Sequence, residues 1–297
     1  MVRWGLYPFV LLVTFALDHL FRLLGFSPWI SAYASVVIGC LWLISRLERL
    51  FPHSREWFAS AVETRLDLQF LLWVAVLLPM ALSLGIAALS SQWVQSSFPS
   101  ALHLWPRGLL PWQQVALMIV LADPLRYWLH RFCHGWPSLW RLHVIHHAVC
   151  KLNVLNTGRF HPLETSLQFL CETAPFILLG VSEEVLSFYF VLHASKAFLQ
   201  HSNLDIRLGL LNRLISGPEL HRLHHSLDPD QHCSNFGNKL SVWDQIWGTY
   251  LDPSRHTVTT LGVVEGRGQA PFVRQLMQPF LKMDLLDSAG PGEITQG

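Results

Sequence analysis

Three long apolar stretches, Gly5 to Leu24, Trp29 to Ile44 and Leu68 to Leu89, constrain this chain more than any other feature, and a fourth lies around Leu109 to Ala122. A helix needs roughly 20 mainly apolar residues to cross a bilayer. The pattern therefore predicts an all-α integral membrane protein with about four transmembrane helices. Asp18 and His19 fall near one end of the first stretch beside Arg22, where an interfacial or bundle-facing position relieves their cost. A signal peptide is the competing reading of that stretch, but no A-x-A-like cleavage site follows it. With 51% apolar and 14% charged residues and a mean hydropathy of +0.33, the chain is neither disordered nor composed like a soluble enzyme. Its formal charge of +1 offers no basic field for nucleic acid.

Basic residues set the expected orientation. Arg46, Arg49, Arg55 and Arg65 follow the second stretch, whereas Ser90 to Pro106 contains no Lys or Arg, so the former connection faces the cytoplasm. The stretch after the fourth segment returns to that side, in agreement with Arg126, Arg131, Arg141, Lys151 and Arg159. Leu163 to Val181 and Val185 to Leu199 predict a membrane hairpin closed at Gly180 to Glu183. Beyond Arg207, turn signals at Gly217-Pro218, Asp228-Pro229 and Asp252-Pro253 predict a cytosolic helical cap. Three parts result: N-terminal transmembrane segments (1–122), a histidine-rich unit with the hairpin (163–200) and cap (123–252), and a C-terminal segment with a flexible tail (253–297). The five cysteines are widely spaced and never form C-x-x-C, so they read as reduced, mostly buried thiols. Trp4, Trp29, Trp57, Trp93 and Trp105 near segment ends predict an aromatic belt.

The chain has 16 histidines, eleven of them between His130 and His225. They form His130-x3-His134, His143-x2-His146-His147 and His221-x2-His224-His225. On a helix, residues three or four apart share a face, so each cluster can aim its imidazoles at one point. A lone pair of this kind is more commonly a packed or surface pair, but three clusters in so short a span are not. Eight nitrogen donors exceed the needs of one ion, which argues for two metals, and imidazole suits iron, zinc, copper and nickel.

At these residues the chain resembles the fatty acid hydroxylase and sterol desaturase superfamily of integral-membrane di-iron oxygenases. The resemblance rests on Asp123-Pro-Leu-Arg-Tyr-Trp-Leu-His130-Arg-Phe-Cys-His134, Trp140-Arg-Leu-His143-Val-Ile-His146-His147, Arg159-Phe-His161-Pro-Leu-Glu164, Gln200-His201-Ser-Asn203, His221-Arg-Leu-His224-His225-Ser and Asn235-Phe-Gly-Asn-Lys-Leu-Ser-Val-Trp243-Asp-Gln-Ile-Trp-Gly-Thr249, in the family's order. It implies four transmembrane helices, a cytosolic cap and two iron ions, with zinc a possible substitute in purified protein. His130, His134, His143, His146, His147, His221, His224 and His225 match the boxes and become the expected ligands, and His201 matches a further histidine that makes a ninth. For His161, ligation and support of a ligand stay open, and His193 reads as a buried non-ligand that could still share the site's face. The resemblance also implies that O2 and two external electrons oxidise a C–H bond of a lipid, such as a fatty acyl chain, sterol or sphingolipid, that enters from the bilayer. Hydroxylation and desaturation both stay open.

Ligating imidazoles are normally oriented through their other ring nitrogen. Asp123, Glu164, Asp228, Asp230 and Asn235 are the candidates, although Asp123 reads equally as a helix N-cap and Asp228-Pro229 as a plain turn. Trp128, Trp136 and Trp140 lie among the histidines, as a wall against water or as packing. His19, His53, His103, His232 and His256 fall outside the boxes. No G-x-G-x-x-G after a strand, C-x-x-C-H or ferredoxin-like cysteine run is present, so electrons are expected from an external cytochrome or ferredoxin. Arg141, Lys151, Arg207, Arg213 and Arg222 are the expected docking residues, or anchors for phospholipid headgroups. A membrane zinc hydrolase would use H-E-x-x-H, which is absent, and a non-catalytic metal- or haem-binding membrane protein leaves most boxed histidines unexplained. A bacterial inner membrane and an endoplasmic reticulum are both compatible, with the boxes on the cytoplasmic side.

Overall fold

The computed structural model of the chain describes residues 2–89, 104–263, 268 and 270–281. Trp93, His103 and the terminal tail lie outside the described residues. Within them the secondary structure is helical, with three isolated β-bridges.

α1 spans Val2–Leu23. α2 spans Pro28–Leu50, opened by Ser27, whose hydroxyl accepts from Ile30 N–H, and by Pro28, whose fixed φ suits a first turn. α3 covers 61–89 and opens on a capping box in which Ser60 and Glu63 satisfy each other's backbone N–H. α2 and α3 each contain a π-helical stretch, Val37–Trp42 and Leu71–Leu77. These three helices are long and apolar enough to cross a membrane, and they coincide with the first three apolar stretches.

The fourth stretch differs from the other three. It forms the first half of α4 (Pro111–Gly135), which runs through Asp123 and Pro124 unbroken and carries Arg126, His130 and His134. Asp123 is thus inside a helix, two turns before His130, and the N-cap reading is wrong. α5 (Pro137–His147) follows after a sharp bend at Trp136. A 3-10 turn at Val154–Gly158 leads into α6 (Pro162–Glu172) and α7 (Ala174–Leu178). The chain reverses at Gly180, φ +75°, and α8 (Glu183–His201) starts on the Ser182 cap.

α1, α2 and α8 share one core, built on Val10, Ala32, Val36, Val191 and Leu199. Thr14 packs against Gly39 so closely that a Cβ there would overlap its hydroxyl. Thr14 and Ser195 bracket the Cys40 thiol at 3.3 and 3.2 Å. The charged end of α1 faces this bundle: Arg22 donates to Asp18 at 2.8 Å and to Ser187 at 2.9 Å. α4 packs on α7 and α8 through Met118, Phe176 and Tyr189. Trp105 belongs to this core and donates to Gln114 at 2.7 Å, so it is not a belt residue. The outer faces of the three spans expose Leu12, Val37, Trp42, Leu72, Trp73 and Leu84, as a lipid-facing surface requires.

Loops join the ends of the helices into one platform. His53 N–H donates to Asn203 at 2.8 Å, Arg207 N–H to Arg3 at 3.2 Å, and Lys151 pairs with Glu63 at 2.9 Å. The start of α1, the end of α2, the start of α3 and the ends of α4 and α8 therefore lie at one end. Over it sit short helices α9 (Pro218–His224), α10 (Pro229–His232), α11 (Val242–Ile246) and α12 (Phe272–Met277). The cysteines are all unpaired, but only Cys40 and Cys133 are buried; Cys150 and Cys233 are exposed, contrary to the sequence expectation.

Candidate metal centre

Helical spacing brings the histidines of each cluster to one side, and the fold then turns four chain segments toward one point. His130, His134, His143, His147 and His224 form one nest, and His146, His201, His221 and His225 a second. Within each, one ring nitrogen per residue lies within 4.8 Å of all the others. All nine are buried. The i,i+4 pairs 130/134, 143/147 and 221/225 each stay within one nest, whereas the sequence neighbours His146 and His147, and His224 and His225, go to different nests.

The outward nitrogens reveal how the rings are set. Nδ1 of His130 lies 2.9 Å from the Phe236 carbonyl, that of His146 3.2 Å from the Arg159 carbonyl, and that of His224 2.8 Å from the Ser234 carbonyl. His143 Nδ1 lies 2.8 Å from Glu164, and His201 Nδ1 3.3 Å from the Asn156 amide oxygen. Carbonyl oxygens only accept, so Nδ1 carries the hydrogen and donates. In the neutral ring the Nε2 lone pair then points inward. Burial, reinforced by neighbouring imidazoles, holds His146, His147, His221 and His225 well below the ordinary imidazole range, and burial holds His224 down to about 3.

The inward atoms crowd together. His147 Nε2 meets His143 Nε2 at 3.1 Å, and His225 Nε2 meets those of His146 and His221 at 3.1 and 3.0 Å. His130, His134 and His224 have buried Nε2 atoms with no hydrogen-bond partner. Converging lone pairs with outward N–H groups anchored on acceptors are what a divalent metal needs from imidazole ligands. The donor set fits a metal in each nest.

Aromatic rings close the nests from the sides. Phe236 lies 5.1 Å from His134, Phe160 stacks on His146 at 4.1 Å, and Trp140 lies 5.2 Å from His134. Trp136 is exposed and stacks on Phe132, and Trp128 packs on Trp247, so of the three sequence candidates only Trp140 lines the nests.

Of the proposed supporting residues, Glu164 reaches a nest histidine directly, while Cys133, His143 and Glu164 form a third close group that shares His143. Asp123 instead binds the cap, accepting from Lys239 N–H, Leu240 N–H and the Trp243 indole at 3.0, 2.8 and 3.0 Å. Asn235, at φ +54°, accepts from Leu251 N–H at 2.9 Å and donates to the Leu220 carbonyl, which clamps the loop carrying Ser234 and Phe236. Asp228 caps α10 through Asp230 N–H at 3.0 Å, and both aspartates are exposed away from the nests. His161 caps α6 and lies outside both nests: its Nδ1 accepts from Leu163 N–H, and its other nitrogen meets the Leu276 carbonyl at 3.1 Å. His193 also lies outside them, 4.0 Å from Glu172. Arg222 leaves the docking set, because it is buried and donates to the Ser202 and Leu204 carbonyls.

Sequence reasoning missed Asn156, the carbonyls of Arg159, Ser234 and Phe236, and Asp244. The Asp244 carboxylate accepts from Phe236 N–H, Gly237 N–H and the Thr249 hydroxyl at 2.7, 2.9 and 2.8 Å, and so fixes the carbonyl on which His130 rests. Asp244 stands within a quoted motif, a signal that was available. Backbone carbonyls leave none.

The profile of the fatty acid hydroxylase family matches residues 115–249. An ornithine lipid hydroxylase of Rhizobium tropici is 34% identical over 82% of this chain and 74% of its own. An alkylglycerol monooxygenase of Danio rerio is 27% identical over 58% of this chain and 39% of its own, and a lathosterol oxidase of Homo sapiens 25% identical over 73% and 67%. No solved structure matches the chain.

Proposed function

The chain belongs to the fatty acid hydroxylase family, and on that premise we propose that it is a multi-pass membrane di-iron oxygenase that uses O2 and two external electrons to hydroxylate a lipid. The observation that carries this reading is the division of nine buried histidines into nests of five and four, five of them with Nδ1 anchored outward so that the Nε2 lone pair faces in. His130, His134, His143, His147 and His224 would hold one iron, and His146, His201, His221 and His225 the other. Iron with open coordination positions supplies the binding and reduction of O2. The protein's own part is orientation and dryness: Glu164, Asn156 and the three carbonyls fix the rings, and Phe160, Phe236 and Trp140 exclude water.

The ornithine lipid hydroxylase, similar along most of both chains, favours hydroxylation over desaturation and a polar membrane lipid as substrate. Three apolar spans with exposed apolar side chains support a substrate that reaches the site from the bilayer. The arginines around the end of α2 and the start of α3 favour a cytoplasmic position for the nests, with α4 as a fourth crossing and the short helices α9 to α12 as the cap. Electrons would arrive through an external carrier protein, for which Arg207 and Arg213 remain exposed at the nest end.

A zinc hydrolase uses three protein ligands and a water, far fewer than are gathered here. A haem needs two axial imidazoles held apart by a macrocycle, and nitrogens 3.0 Å apart leave no room for one. The test is growth of an expressing strain under 18O2 with mass analysis of its lipids, together with metal analysis of the purified protein. A lipid that gains one labelled oxygen, and iron in both nests, is the expected result. Unlabelled lipids, or a single zinc per chain, would refute it.

A further inference from the structure

Apart from the nests, the ends of α1 and α2 enclose a cavity of about 370 Å³. Its polar lining is Arg3, His53, Arg55 and Asp205, and Leu6 and Phe51 contribute apolar lining. Two guanidinium groups here face one carboxylate. Arg3 touches Asp205 at 2.6 Å and Arg207 approaches its other oxygen at 3.8 Å, while His53 lies in the field of Arg3, Arg207 and Arg222. The nearby acids offset little of this charge toward the cavity. Glu219 is engaged by Leu208 N–H and Asn212, and Glu48 by Val154 N–H and Asn203 N–H.

The cavity lies at the start of α1 and the end of α2, the ends of two apolar spans, which in a bilayer fall at the depth of lipid headgroups. A second surface marks the same level. Trp4, 58% exposed, packs on Gly209 so tightly that a Cβ there would overlap its ring, and this ties the loop after Leu208 to the start of α1. That loop exposes Leu210 at 85% and Leu211 between Arg207 and Arg213, with Leu214 exposed just after Arg213. Exposed leucines flanked by arginines suit the boundary between acyl chains and headgroups.

We propose that this cavity binds a phosphate oxyanion carried by a phospholipid headgroup, held by Arg3 and Arg55, with the lipid's chains against exposed Leu50 and the outer face of α2. Guanidinium groups bind phosphate through paired, charge-assisted hydrogen bonds. Asp205 sets the strength of the site by competing for Arg3. The bound lipid is separate from the lipid that would be oxidised, and it leans on a loop fastened to Asn203, two residues after His201.

The test measures thermal unfolding of the full chain in uncharged detergent while phosphatidylglycerol is added, and separately while inorganic phosphate is added. The lipid is expected to raise the midpoint. Arg55→Gln should require about five-fold more lipid for the same rise, the contribution of one basic residue at an anionic lipid surface. Asp205→Asn should require less, because it releases Arg3 and Arg207. A rise with inorganic phosphate equal to that with lipid would overturn the lipid as occupant. Equal lipid responses in wild type and Arg55→Gln, or a weaker one in Asp205→Asn, would overturn the site. Metal content read on the same samples is expected not to change, so failure here is distinguishable from failure of the metal assignment.

Discussion

Glu164 and the Nδ1 of His143 meet at 2.8 Å with both side chains almost wholly inaccessible to water. The contact turns the other face of the ring toward His147 and the five-histidine nest. Glu164→Gln keeps the shape and removes the charge. Support of this kind is worth about 10–100-fold in metal affinity, and that loss is expected in competition with a chelator. Unchanged retention of metal would reduce Glu164 to a packing residue.

The two nests should empty independently. His224→Ala removes a ligand of the first and His201→Ala one of the second, so each should lower the metal content toward one ion per chain and abolish turnover. His256, exposed and remote, serves as the control, and His256→Ala should keep both. Full metal content in either nest variant would contradict the division into five and four.

Asp244 is a handle on pH. Burial pushes its carboxyl up from 3.8 to about 6, against the donors that lower it. An acid raised in this way contributes stability that is fully present below its unfolded value and is lost as pH rises through the folded one. Asp244→Asn removes that dependence. The unfolding midpoint of wild type minus that of the variant should therefore fall between about pH 4 and pH 6 and level off above it. A difference that stays flat across that window would mean Asp244 does not titrate there.

Lys239 fastens the cap to the hairpin from inside, with its ammonium 2.6 Å from Glu172 and 3.8 Å from Asp123. The two carboxylates and neighbouring Tyr189 outweigh burial and raise its proton affinity. Lys239→Met leaves buried carboxylates short of a cation and should cost about 3–5 kcal/mol. Adding Glu172→Gln should recover part of that loss in thermal unfolding. A double variant no better than the single one would show that the two residues do not act as a pair.

Much of the centre could be read from the sequence, because a ligand set built on helices announces itself through spacings of three and four. All nine nest histidines are legible in this way or by the motif at His201. Their division is not, since it depends on how adjacent residues such as His146 and His147, about 100° apart around a helix, meet different neighbours in space. The anchors were harder still: three are backbone carbonyls, and Asn156 lies in a 3-10 turn with no pattern of its own. Asp123 is legible as important, but neither histidine support nor an N-cap beside Pro124 describes its place, which is inside α4 holding Lys239, Leu240 and Trp243. The first three spans were plain from apolar length alone. The fourth stretch is only the first half of α4, which runs on through charged residues into the site and is not among the helices apolar enough to cross a membrane.

Each nest draws on chain segments far apart in order: the first from His130 to His224, the second from His146 to His225. The first cannot close until residue 224 has left the ribosome, nor the second until residue 225 has. By then the three apolar spans, all complete by residue 89, have been synthesised and are available to the insertion machinery. Closing of either nest is thus a late event in the making of this protein. On the proposed reading, an ion entering at that stage would lock the short helices over a bundle already formed, and a chain starved of metal would have its spans placed and those helices unfastened.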